Sequence, residues 1–181
     1  MTEMNFDSPQ LFLRLESLDD LPPICLPEGF SLHSEREGDD VIWEGLIERA
    51  FGMHFSFDGF IRSSGSYSPD KVLFVAKDGK DIATCTAAEK EWFPSEGWLR
   101  MVGTDPDARG CGAGRLVCLA ALHCLAAHGY HSAALSTDDF RLPAISLYLS
   151  LGFRPLILRE DHEERWAKVM KALEERKNAK K

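Results

Sequence analysis

No apolar run in the 181-residue chain reaches the roughly 18 to 20 positions that a membrane span needs, because Arg, Asp, Glu or Lys interrupts every candidate. The amino terminus lacks a basic stretch followed by an apolar signal core, so export is not expected and the cytoplasm is the expected compartment. Cysteine is sparse. Cys25, Cys85, Cys111, Cys118 and Cys124 form an odd set with no Cys-x-x-Cys spacing and no neighbouring His at zinc-finger intervals, so reduced thiols and no metal are expected. Basic charge is also short. A formal net charge of -8 excludes a general nucleic-acid binder, which needs a basic stripe to neutralise phosphates. The basic residues of 171–181 are interleaved with Glu174 and Glu175 and read as a solvated helix end. There is no internal repeat and no low-complexity stretch. What is present is 44% hydrophobic and 10% aromatic residues, enough to give residues 1–181 one compact domain with a sizeable core.

The hydrophobic periods order the chain. Leu11, Leu13 and Leu15 alternate as a strand does, and the Pro-rich stretch at 22–29 leads to a second strand near 30–34. Asp39 or Asp40 is expected to cap a helix carrying Ile42, Trp43, Leu46, Ile47 and Ala50 at three- and four-residue steps. Residues 51–64 read as an aromatic-rich loop with a short helix. Two β-rich runs, 71–77 and 82–88, flank Asp78-Gly79, a hairpin turn, and 98–102 supplies another strand. Residues 112–128 are apolar almost all round and read as a covered helix ended by Gly129. A strand at 133–137, a helix at 143–150 with Pro in its first turn, a strand at 153–158 and an amphipathic helix bearing Trp166, Val169, Met170 and Leu173 complete an α/β mixed sheet. Cys118 and Cys124 read as buried small side chains of the covered helix, and His123 and His128 as structural histidines.

The segment Asp107-Ala108-Arg109-Gly110-Cys111-Gly112-Ala113-Gly114-Arg115 joins a strand to the long helix. Glycines let successive backbone N–H groups converge on one anion, and the first helical turn adds unpaired donors and the positive end of its dipole. A dinucleotide fingerprint fails, because Arg115 stands where its third Gly belongs, and a P-loop fails for want of Gly-Lys-Ser/Thr. The pattern that fits is Arg-x-x-Gly-x-Gly, on Arg109, Gly112 and Gly114. A Gly-rich turn that merely caps a helix is the alternative for this motif taken by itself.

With this motif stands Ala144-Ile145-Ser146-Leu147-Tyr148-Leu149-Ser150-Leu151-Gly152-Phe153. The two blocks and the interval between them resemble the GNAT acetyltransferase superfamily, whose pyrophosphate signature is Gln/Arg-x-x-Gly-x-Gly/Ala and whose second signature is Ala-x-x-Leu-Tyr-x-x-Leu-Gly-Phe. The resemblance covers 98–153 closely and 30–88 by element order. It implies a mixed, mostly antiparallel central sheet flanked by helices, with an N-terminal extension at 1–29, an acceptor side at 30–97 and an acetyl-CoA side at 98–158. Two departures are visible. Arg141 stands where the family often has Asn, and a helix at 159–181 replaces the usual last strand, which is then missing or donated by a second copy in a homodimer.

By resemblance, the activity implied is acetyl transfer from acetyl-CoA to a primary amine of a small molecule or peptide, by direct attack in a ternary complex and without a metal. Met101 and Val102 would meet the pantetheine arm and thioester. Arg109, Gly110, Cys111, Gly112, Ala113 and Gly114 would hold the pyrophosphate, with a solvated Arg109 as the other reading. Tyr148 would be the general acid, against the alternative of a core aromatic. Glu89, Glu91, Glu96 and His54 are candidate bases, Glu89 foremost. The acidic residues Asp138, Asp139, Glu89 and Glu91 suggest a rim that draws cationic amines. A non-catalytic acyl-CoA-binding module is the competing function.

Overall fold

The computed structural model describes residues 10–91 and 93–179; positions 1–9 of the N-terminal extension and Lys180 and Lys181 of the basic end lie outside them. In chain order the elements are β1 (Leu11–Leu15), β2 (Phe30–Ser34), α1 (Asp39–Phe51), β3 (Val72–Lys77), β4 (Lys80–Ala88), β5 (Gly97–Thr104), α2 (Ala113–Ala127), β6 (Ala133–Thr137), α3 (Leu142–Ser150), β7 (Arg154–Leu156) and α4 (His162–Asn178). The described residues divide into two compact units, one from Ser17 to Ala133 and one of the residues up to Glu16 with those from Ala134 onward.

In the larger unit the strands run in the order β2-β3-β4-β5, each pair antiparallel. The β3–β4 turn has Asp78 at φ 51° and Gly79 at φ 80°, the two positive values that match a tight turn to the right-handed twist of its strands. Helices α1 and α2 pack on β4 and β5. The core on the α1 side gathers Trp43, Leu46, Ile47, Phe57, Ile61, Val72 and Phe74. Trp43 and Phe57 meet edge to face at 5.2 Å and 78°, an arrangement worth about 0.5–1.5 kcal/mol beyond area burial. Residues 51–64 include a π-helical turn, Asp58–Arg62, that delivers Ile61 to this core.

The start of α1 differs from expectation. Gly38, left-handed at φ 90°, precedes the helix without a side-chain cap. Asp39 lies inside the first turn and accepts the Arg36 N–H at 2.9 Å, closing the turn before the helix. Helix α2 begins and ends where its glycines place it, after Gly112 at φ 90° and before Gly129 at φ 86°.

In the smaller unit the strand order is β6-β1-β7, and β1 pairs antiparallel with β7. Leu11, Leu13, Ile145, Phe153 and Trp166 are buried there, and Phe12 stacks on the buried His162 at 5.9 Å. Helices α3 and α4 pack on each other, and α4 follows β7 where the family's last strand would stand.

Candidate functional site

Strand β5 is interrupted at its middle. Thr84 pairs with Gly103 and Thr86 with Arg100, so Met101 and Val102 together face the single residue Cys85. This is a β-bulge, which breaks the ladder and redirects the strand. Met101 takes φ 51°, an uncommon conformation for an unbranched non-glycine residue, while its side chain packs against the α1-side core. The two residues expected to meet a thioester therefore occupy the irregular part of the strand.

Beyond β5 the chain turns through Pro106–Ala108, a single 3₁₀ turn. Asp105, 1% exposed, fixes its start: Oδ1 accepts the Asp107 N–H at 3.1 Å, and Oδ2 lies 3.1 Å from both Arg49 and Lys80. Burial pushes the Asp105 pKa up, but the Asp107 amide, Lys80 and Arg49 together outweigh it and hold the carboxyl below its ordinary value. Cys111 Sγ then donates to the Ala108 carbonyl at 2.9 Å.

Gly110 and Gly112 both have positive φ, 86° and 90°, and a Cβ on either would meet nothing within 4 Å. They shape an open backbone concavity leading directly into α2, whose N-terminus has no side-chain cap. The N–H groups of Ala113 and Gly114 stand at the positive end of the helix dipole, where an anion is favoured. Arg109 is exposed beside them. Arg109, Gly110, Cys111, Gly112, Ala113 and Gly114 follow one another through this open loop into the helix. The loop fits a pyrophosphate group.

A small depression with room for about one water molecule lies near the other end of β4, where Ser64, Ser66, Tyr67, Ser68, Lys71 and Thr86 adjoin Ile61, Val72, Ala87 and Ala88. Thr86 pairs with Arg100 beside the bulge, so the depression on β4 and the bulge on β5 lie on paired strands. Lys71 donates to Glu89 at 2.8 Å. That hydrogen bond, opposed by burial and assisted by the Lys71 charge and a Tyr130 hydrogen bond, holds Glu89 below the ordinary range of a glutamic acid. Glu91 is exposed, Glu96 is buried, and His54 is exposed 3.9 Å from Glu48. Reading the sequence missed Lys71 and the serines, although Ser64, Ser66 and Ser68 alternate with period two. Among the aromatics, Trp43 and Phe57 are core, and Phe55 meets Phe51 and Phe60 edge to face.

In the smaller unit Tyr148 is 5% exposed on α3, with its ring 6.1 Å from Phe153 at 61°. Asp138 pairs with Arg141 at 2.8 Å, and Asp139 pairs with Arg165. Like Glu89, these carboxylates already have cationic partners, so their combined field is weaker than their number implies. Cys124, Asp70 and His128 also meet in the larger unit. Burial, and then the Asp70 charge, push the Cys124 thiol up to about 11, so it is not poised as a nucleophile.

The chain thus has a mixed α/β fold in which an uncapped, glycine-led helix follows a bulged strand. The GNAT acetyltransferase family model matches residues 37–153, and the chain belongs to that family. The mycothiol acetyltransferase of Pseudarthrobacter chlorophenolicus is 31% identical over 146 residues, covering 74% of this chain and 45% of that protein. That of Acidothermus cellulolyticus is 27% identical over 165 residues, covering 80% of this chain and 50% of that protein. The chain thus spans about half the length of these relatives. Among solved structures, a GCN5-related N-acetyltransferase from Sphaerobacter thermophilus superposes with a TM-score of 0.68 at 24% identity, over 81% of this chain and 48% of that one. The ribosomal-protein-S18-alanine N-acetyltransferase from Escherichia coli gives 0.60 at 22% identity, over 73% and 82%. These two likenesses concern the fold. Among the described residues no helix is long and apolar enough to cross a membrane.

Proposed function

We propose that the chain transfers an acetyl group from acetyl-CoA to the primary amine of a small, polar acceptor, by direct attack in a ternary complex. The observation that carries this reading is the open loop of Gly110 and Gly112 running into the uncapped start of α2. Acetyl-CoA supplies the acetyl group as an activated thioester. Arg109, Gly110, Cys111, Gly112, Ala113 and Gly114 hold its pyrophosphate, mainly through main-chain N–H groups. Met101 and Val102, in the bulge, orient the pantetheine arm and polarise the acetyl carbonyl through backbone groups.

The acceptor approaches beside the small depression of Ser64, Ser66, Tyr67, Ser68 and Thr86, where Lys71 and its partner Glu89 stand. The mycothiol acetyltransferases among the relatives support a small-molecule acceptor over a protein terminus. Glu89 receives the amine proton, directly or through water, as a weak base because Lys71 holds its pKa down. Tyr148 returns a proton to the departing thiolate. The engagement of Glu89 by Lys71 is also what favours the competing reading, a CoA-binding module without turnover. Release of free thiol from acetyl-CoA, measured over amino sugars, polyamines and amino-terminal peptides, separates the two. Amine-dependent release with an amino sugar preferred supports transfer. Tight CoA binding with no release for any amine overturns it.

A further inference from the structure

Cys124 near the end of α2 and His128, its C-terminal neighbour, are one helical turn apart, and the 3₁₀ turn Pro69–Lys71 brings Asp70 against them. One donor atom from each of the three side chains lies within 4.8 Å of the others. His128 Nε2 is 3.1 Å from Asp70 Oδ2. Cys124 Sγ is 3.7 Å from the His128 ring at Nδ1 and 3.5 Å from the main-chain oxygen of Asp70.

Two of the three side chains are held from behind. His128 Nδ1 lies 2.9 Å from the Cys124 carbonyl oxygen, a contact that fixes the ring with its Nε2 edge toward Asp70. The Ser68 hydroxyl donates to the other Asp70 oxygen, Oδ1, leaving Oδ2 directed at the imidazole. A backbone carbonyl behind the histidine and a hydroxyl behind the carboxylate are the outer contacts that orient metal ligands. The position is favourable for a cation on a further ground: it adjoins the C-terminal, negative end of the α2 dipole.

We propose that Asp70, Cys124 and His128 form a binding site for a borderline-soft divalent cation of the zinc class. Sulfur, imidazole nitrogen and a single carboxylate oxygen match the ligand preferences of zinc and cobalt and are a poor set for magnesium or calcium. Around a tetrahedral zinc ion the donor atoms stand about 3.3–3.6 Å apart. Closing the three side chains onto an ion takes a shift of about 1 Å on that scale, which the exposed Asp70 and His128 can supply. On binding, the Cys124 sulfur forms its bond to the metal and its proton passes to solvent, with water filling the fourth position. The ion would clamp the turn at 69–71 to the end of α2, 54 residues away in sequence. The case for this site does not use the acetyl-transfer reading, although Ser68 and the 69–71 turn also border the proposed acceptor site.

The test is a titration of the metal-free full chain with Co²⁺, followed by absorbance. One equivalent should give the thiolate-to-cobalt charge-transfer band and tetrahedral d–d bands, both bleached by Zn²⁺, and Zn²⁺ should raise the melting temperature. Cys124→Ser should abolish the charge-transfer band. Asp70→Asn and His128→Ala should each weaken binding by about tenfold or more. Cys25→Ser, at an exposed thiol elsewhere, should change nothing. Circular dichroism verifies that each variant is folded, and slower alkylation of Cys124 in the zinc-loaded wild type gives a second readout that needs no variant. The proposal fails if the band persists in Cys124→Ser, if both Asp70→Asn and His128→Ala bind as the wild type does, or if the folded wild type takes up no cobalt.

Discussion

The Lys71 ammonium lies 2.8 Å from a carboxylate oxygen of Glu89 and keeps that group ionised to more acidic pH than an ordinary glutamate. The pair sets basicity at the proposed acceptor site. Lys71→Met removes the stabilising cation, so the Glu89 pKa rises and the acid limb of kcat/KM moves to higher pH. Glu89→Gln should cost about a hundredfold or more in rate at neutral pH. A pH–rate profile of both variants decides the matter: an unmoved limb together with near-wild-type turnover in Glu89→Gln removes Glu89 from the mechanism.

Gly112 provides the test of the phosphate loop. At φ 90° with open space where a Cβ would stand, it can carry a side chain only at a backbone cost, and Asp there sets a negative charge where the pyrophosphate is proposed to bind. CoA at about a hundred times its Kd should stabilise the wild type by about 2.7 kcal/mol, seen as about 5–10 °C in Tm for a chain of this size. Thermal melts of folded Gly112→Asp should show no such shift.

The boundaries of α2 were legible in the sequence because Gly112 and Gly129 signal a backbone conformation by residue type alone, as Asp78-Gly79 does for the β3–β4 turn. The bulge was not. Nothing in the identity of Met101 announces a positive φ, because a bulge follows from the register of β5 on β4 and is settled by long-range pairing. Asp39 and Asp40 both suit a cap by residue type, whereas Gly38 enters the helix in a left-handed conformation and the Asp39 carboxylate bonds the Arg36 N–H. The Cys124–His128 spacing was readable as two side chains on one helical face. Asp70 completes the group only through the packing of the 69–71 turn, which no local pattern encodes.

Asp105 connects the loop to stability. Asp105→Asn leaves Arg49 and Lys80 without their shared buried counter-charge and should cost about 1–3 kcal/mol at pH 7. The pH dependence has a definite sign. A folded pKa below the unfolded one gives stability that is fully present above the unfolded value, about 3.9, and lost as pH falls through the folded value. Urea melts of wild type and variant should therefore differ most near neutrality and converge as pH drops below about 4. A constant difference down to strong acid would mean that lost packing, and not lost charge, is responsible.

The Tyr148 ring is 5% exposed and meets Phe153 edge to face, so a phenylalanine at 148 keeps the apolar contact and removes the hydroxyl together with its interactions. A phenol with an ordinary pKa of about 10 stays protonated at neutral pH and can give its proton to a thiolate as the carbon–sulfur bond breaks. If it does so, Tyr148→Phe should melt close to the wild type and bind acetyl-CoA as tightly, while single-turnover acetyl transfer slows by about tenfold or more. The loss should be largest with acetyl-CoA and smaller with a thioester whose thiol is more acidic, because a better leaving group needs less protonation. Rapid-quench measurements with the two thioesters read this directly. A variant that loses stability, keeps full single-turnover rate and shows no dependence on the leaving group would make Tyr148 a core aromatic, with the proton coming from elsewhere.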